Sequence, residues 1–153
     1  MSDILAAYEA LGSMTISVSG RTPDIYFFTE QPNAAETANL PLRLLEVVGS
    51  NAEMSDLVYG TIGSAPQVDT TWRISDLLLW MPQAQGTGVR DVARLLVDYC
   101  GKYVETARMN RDLTEQISIA SLQVTPGTFR YPADGERVYY GVRAVMGLKE
   151  LIG

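Results

Sequence analysis

The stretch TTWRISDLLLWMPQAQGTG, residues 70–88, decides how the rest of the chain is read. Trp72, Ile74, Asp76, Leu78 and Trp80 fall on one side of an extended backbone, and Arg73, Ser75, Leu77, Leu79 and Met81 on the other. The first half alternates apolar with polar, as a strand does when one face is wet. The second half is apolar on both sides. The strand therefore enters from a rim and ends in the core, and Pro82 stops it. QAQGTG then reads as a loop, with Thr87 able to cap a following helix.

Asp76 interrupts the apolar side of this strand. A lone buried carboxylate is costly. The residue is expected at a lateral edge, exposed on the twist of the strand, or paired with an arginine. That arginine is either Arg73 of a neighbouring copy or another of the same chain.

From Gly88 to about Met109 the helical pattern is the clearest in the sequence. Val89, Val92, Leu96, Tyr99 with Cys100, Tyr103 and Ala107 share one face. Arg90, Asp91, Arg94, Asp98, Lys102 and Glu105 lie mostly on the other. Asp91, Asp98 and Glu105 are seven apart, two turns from one to the next, so they read as a solvated stripe and not as a metal or acid–base set.

Upstream, Ile4, Leu5, Tyr8 and Leu11 predict a short amphipathic helix, with Ser2 or Asp3 as its N-cap and Gly12 just past its end. MTISVSG, 14–20, alternates as a short strand. Ile25-Tyr26-Phe27-Phe28 predicts another, followed by a long irregular connection over 29–40. LPLRLLEVVGS supplies a buried strand over 42–48. Residues 51–69 are polar and rich in glycine, and fit either a strand pair turning at Gly60 to Gly63 or a second long loop.

Downstream, 115–124 and 138–148 predict a closing hairpin around a long tip, TPGTFRYPADGER, whose Pro126-Gly127 and Asp134-Gly135 are turn formers. Phe129, Arg130, Tyr131, Asp134 and Arg137 on that tip are candidate contact residues. The other reading is a tip folded back onto its own sheet.

Composition narrows the function. The 153 residues suit one domain spanning 1–153, and no apolar run approaches the ~18 residues that a membrane span requires. The start, Met1-Ser2-Asp3-Ile4, carries no basic region or apolar core that would predict export. Zero histidines exclude a Ser-His-Asp triad and a Cys-His pair, and with a single cysteine, Cys100, they argue against a zinc site. No glycine-rich nucleotide loop or EF-hand loop occurs. No catalytic, cofactor-binding or metal-ligating residue is predicted, and the protein is expected not to be an enzyme.

Net charge is −6, which disfavours a dedicated nucleic-acid binder. It is unevenly spread: residues 1–69 carry nine acids against two arginines, net −7, and residues 70–153 nine acids against ten bases, net +1. The imbalance reads as a solvated acidic face or as a self-complementary surface favouring head-to-tail association.

The expected fold is a single α+β domain. Its sheet is antiparallel or mixed, its N-terminal helix and one long helix (88–109) pack on one face, and a β-hairpin closes it. In this element order the chain resembles the tail terminator and neck proteins of long-tailed phages. The matching elements are an N-terminal helix, LPLRLLEVVG after a proline, TTWRISDLLLWMP ending in proline, a long helix, and the closing hairpin ISIASLQV…RVYYGVRAVMG. The resemblance spans nearly the whole chain and rests on order and pattern, not on diagnostic residues.

It implies a ring, usually of six copies, that caps the tail tube, docks to a head connector or neck protein, and sits in a virion assembled in the host cytoplasm. DNA would pass through without specific binding, which suits the negative charge, and no membrane or cofactor is implied. Trp72 and Asp76 would then lie beside a subunit interface, with Asp76 satisfied across it or by a core arginine. The alternatives are a small soluble binding module, a carboxylate-based enzyme, or a monomeric host adaptor.

Overall fold

A computed structural model describes residues 3–27, 40–55, 67–83, 89–131 and 137–152. Its elements are α1 (Ile4–Gly12), β1 (Asp24–Phe27), β2 (Leu42–Ser55), β3 (Gln67–Pro82), α2 (Val89–Met109), β4 (Ile117–Arg130) and β5 (Val138–Ile152). They form one five-stranded sheet in the order β1-β2-β3-β5-β4. β1 runs parallel to β2 and the other pairs are antiparallel, so the sheet is mixed. The α+β class, the two helices and the closing hairpin are as the sequence predicts.

β3 is the middle strand because its second half buries both faces. On one face Ile74, Leu78 and Trp80 join Ala7 and Leu11 of α1, Leu96, Tyr99 and Tyr103 of α2, and Met146 and Leu148 of β5. On the other, Leu77 and Leu79 join Leu40, Leu42, Leu44, Tyr131 and Tyr139 in a second, smaller core. Both helices cover the first face. A bulge between Leu79 and Met81 ends the regular ladder just before Pro82 and holds Trp80, 6% exposed, in the larger core.

Three expectations are corrected. The predicted strand over 14–20 has no ladder. Met14, Ile16 and Val18 still alternate into the core, because extended backbone alone produces that burial. The only pairing is a two-residue turn joining Val18 and Arg21. Ser19 and Gly20 both take positive φ there, 53° and 73°, which a tight hairpin turn of this hand requires.

The predicted tip over 125–137 is shorter than expected, since β4 runs on to Arg130 and begins at Ile117 rather than Glu115. Pro126-Gly127 is strand and not turn. β4 is an edge, where a missing N–H is tolerated, and Gly127 sits opposite Gly141. Gly141 is itself obligatory, because a Cβ there would fall on the carbonyl oxygen of Leu78. Finally, Gly12 closes α1 instead of following it, and Ser13 is the C-cap.

β2 and β3 pair as far as Ser55 and Gln67, the arms of the strand pair considered for 51–69. The turn at Gly60 to Gly63, the 29–39 connection, Thr87 and Asp134-Gly135 lie outside the described residues. Among the described residues no helix is long and apolar enough to cross a membrane.

Candidate functional site

The chain's concentrated chemistry lies inside it. In the antiparallel β2–β3 pair, Arg43 faces Leu78 and Leu45 faces Asp76, so Arg43 and Asp76 are diagonal neighbours on the helix-covered face. The guanidinium forks onto the carboxylate, with Nε donating to Oδ1 at 3.2 Å and Nη2 to Oδ2 at 2.5 Å. Nη1 donates to the carbonyl oxygen of Met14 at 2.5 Å. From α2, the Tyr103 hydroxyl donates to Asp76 Oδ2 at 2.6 Å, and Arg43 sits 5.8 Å from the Tyr103 ring centre. Three elements and the 14–18 segment therefore meet at one ion pair, of which 1% of the arginine and none of the aspartate side chain is exposed.

The electrostatics follow from this burial. Desolvation, the largest single effect, would weaken the charge on Arg43, but the charge and hydrogen bond of Asp76 together with Tyr99 and Tyr103 more than offset it, and the guanidinium is held charged, well above its ordinary range. The hydroxyls of Tyr99 and Tyr103 are pushed up, first by burial and then by the charge of Asp76. Burial also raises the Cys100 thiol. The Tyr99 hydroxyl is buried with no hydrogen-bond partner among the described residues.

A forked, solvent-excluded pair cannot exchange protons or reach a substrate. Its work is to lock β2, β3 and α2 in register. Breaking one half of such a pair costs about 3–5 kcal/mol, because the other charge is stranded.

Glu150 makes a second buried polar junction. Its carboxylate accepts from Trp72 Nε1 at 3.2 Å and from the backbone N–H of Asp3 at 2.8 Å. Asp3 is the N-cap residue of α1 and its own side chain makes no capping bond. The last strand thus supplies the anion that the first helix needs at its positive end.

The sequence-predicted contact residues separate accordingly. Asp76 takes the core-arginine option, and its pairing with Arg73 of another copy and its exposure on the strand are both ruled out. Trp72 is half-buried and bonded to Glu150 within the chain. Tyr131, expected at an exposed tip, is fully buried in the second core: its N–H donates to the Arg137 carbonyl at 3.3 Å, one step beyond the Arg130–Val138 pair of the ladder. Phe129 packs half-buried against the same cluster, with Arg143 5.1 Å from its ring centre. Arg130 and Arg137 are exposed.

Sequence reasoning missed Arg43 as the partner of Asp76, and it missed Glu150. The only available signal was their charge inside otherwise apolar strand patterns. Among the described residues no three His, Cys, Asp or Glu side chains gather as a metal-binding set. Comparison of the sequence with protein-family models and with curated proteins finds no match.

Proposed function

We propose that the protein is a structural component of a tailed-phage virion, a tail terminator or neck protein that forms a ring on the tail tube and docks it to the head connector. The observation that carries this reading is the unlike pair of edges of its one sheet. β1 is four residues long and begins at the exposed Asp24. β4 is fourteen residues long and contains no acid. Edges that differ in length and charge favour head-to-tail contact between copies over twofold pairing, and head-to-tail contact forms a ring where the rotation between copies closes.

Six copies are expected, with tail tube protein on one side and connector or neck proteins on the other. DNA passes through unbound, in a particle assembled in the host cytoplasm. No catalysis or cofactor enters this role. The carboxylate-enzyme alternative is disfavoured by the use already made of Asp76 and Glu150.

The binding-module alternative has one observation in its favour, a pair of apolar clefts beside α2. Light scattering followed by negative-stain imaging separates the two readings. Discrete rings, or monomers that ring up only on a tube or connector, support the virion role. A strict monomer stabilised saturably by a small ligand moves the assignment to a binding module.

A further inference from the structure

The outer edge of β4 runs beside α2, and the seam between them is unlike the rest of the surface. Only its start is covered: Ile119 N–H donates to the Arg111 carbonyl, and Leu113 N–H to the Ile117 carbonyl. From Ser121 to Phe129 no other described strand pairs with this edge. The segment carries no charge, the usual guard against strand addition; the bulge between Ile119 and Ser121 and Pro126 leave Ser121–Thr125 as an open window.

Two clefts open along the seam. One, of about 250 Å³, lies between Val92, Leu96 and Val97 of α2 and Pro126-Gly127 of β4. The other, of about 260 Å³, lies between Val104, Ala107 and Arg108 and the stretch Ile119–Leu122. Their centres are about 20 Å apart, whether counted as some thirteen residues of helix or six of strand. Val97, at the first cleft, is 62% exposed.

Along α2, Arg90, Arg94, Val97, Gly101, Val104 and Arg108 follow one another at steps of three and four, with Arg111 just past the helix; of these Val97 lines the first cleft, and Val104, Arg108 and Arg111 the second. The four arginines are exposed and none is in a salt bridge with a described residue. The acids Asp91, Asp98 and Glu105 lie one position round the helix, with Lys102 bridging Asp98 there. In a chain of net charge −6, neither cleft is lined by a described carboxylate; Asp112, in a β-bridge with Ser118 beside Arg111, is the acid at the covered start of the seam. Gly101, midway between the clefts, meets no atom within 4 Å of where a Cβ would stand. A glycine inside a helix weakens it, and here it leaves the helix backbone open to close approach.

We propose that the α2–β4 seam is a docking groove for an extended segment of a partner protein, which adds a strand along Ser121–Thr125. Such a segment places two apolar side chains six residues apart into the two clefts, on the same face because six is even. Its carboxylates meet the arginine pairs Arg90 and Arg94 at one end and Arg108 and Arg111 at the other. Backbone pairing supplies affinity and the pockets supply choice. The groove needs only one copy, but it occupies the β4 edge that head-to-tail contact would also use, so a second copy and a partner segment compete for it and the test separates them.

The test is a fluorescence-anisotropy titration of the full chain with a capped, labelled peptide, Asp-Leu-Thr-Val-Thr-Val-Thr-Leu-Asp. Saturable binding is expected, weakening with salt. It should fall at least tenfold in Arg108→Glu/Arg111→Glu, for the same peptide ended by lysines, and in Gly101→Trp, whose side chain fills the passage between the clefts. Gly101→Ala, checked by melting, should raise Tm by a few degrees, showing that the position tolerates a side chain. Amide exchange should slow at Ser121–Thr125 on binding. No saturation, or equal binding by the Gly101→Trp and arginine variants, overturns the proposal. So does preference for a single-stranded DNA probe at the same site, or self-association of the chain that Gly101→Trp abolishes, which would assign the groove to a second copy.

Discussion

Arg43 and Asp76, 33 positions apart in sequence, close a two-point ion pair in the core and draw Tyr103 and the Met14 carbonyl onto it. The strands that carry them would pair without it. What the pair adds is register: slipping β2 by one residue would point Arg43 into the second core and leave Asp76 buried and unpaired.

Removing one half should be worse than removing both. Asp76→Ala or Arg43→Met is expected to cost about 3–5 kcal/mol, whereas Arg43→Met with Asp76→Leu should recover most of that loss. Urea unfolding of the three variants measures it as a double-mutant cycle. An Asp76→Ala protein with unchanged melting temperature would remove the pair from any structural role.

The two buried tyrosines should behave oppositely. Tyr103→Phe deletes a hydrogen bond to a charged acceptor and should cost about 1.5–3 kcal/mol. Tyr99→Phe deletes a hydroxyl that has no partner among the described residues and should be neutral or stabilising. Equal losses would mean that Tyr99 is hydrogen-bonded after all.

Alkali should unfold the protein through the same residues. Both hydroxyls are raised above the ordinary tyrosine value of about 10. Below that pH both hydroxyls stay protonated in the folded and unfolded chains alike, and the two tyrosines add no pH dependence. Above it, the unfolded chain releases protons that the folded chain keeps, so stability falls by about 1.4 kcal/mol per pH unit for each tyrosine. Urea midpoints between about pH 9 and 11 should show the decline, shallower in Tyr103→Phe.

The tip should divide into structural and surface residues. Tyr131→Ala opens the second core and should cost about 3–5 kcal/mol, read by calorimetry. Deleting 128–136 should therefore damage the fold as well. Arg137→Glu should change stability by no more than about 0.5 kcal/mol. If the tip touches a neighbour in the proposed ring, that charge reversal should weaken association most at low salt. Sedimentation in two salt concentrations decides it.

Gly141→Ala should be among the most damaging single-carbon changes, because the added Cβ meets the Leu78 backbone, which cannot move without parting β3 from β5. A loss of about 1–3 kcal/mol is expected from overpacking at this crossing. A fully stable Gly141→Ala protein would mean that the strands are not held that closely.

The sequence by itself determined the class, the two helices and the burial of the second half of β3 on both faces. Those follow from periodicity: 3.6-residue spacing from Val92 to Ala107, and a run from Leu77 to Trp80 too apolar to face water on either side. It also marked Asp76 as a residue in need of a partner, since a carboxylate on an apolar face is a local anomaly.

Only the tertiary structure decided which partner. Arg43 was one of twelve cations, and nothing local distinguished it, because a pairing between strands depends on register. The same holds for Glu150 at the start of α1, 147 residues from the N–H it accepts. The fate of Tyr131 and of Pro126-Gly127 was likewise decided by the edge position of β4 and by the second core beneath them. Local patterns report whether a side chain seeks burial. Which charges meet there, and which turn formers never turn, is settled only when distant segments pack and desolvate them together.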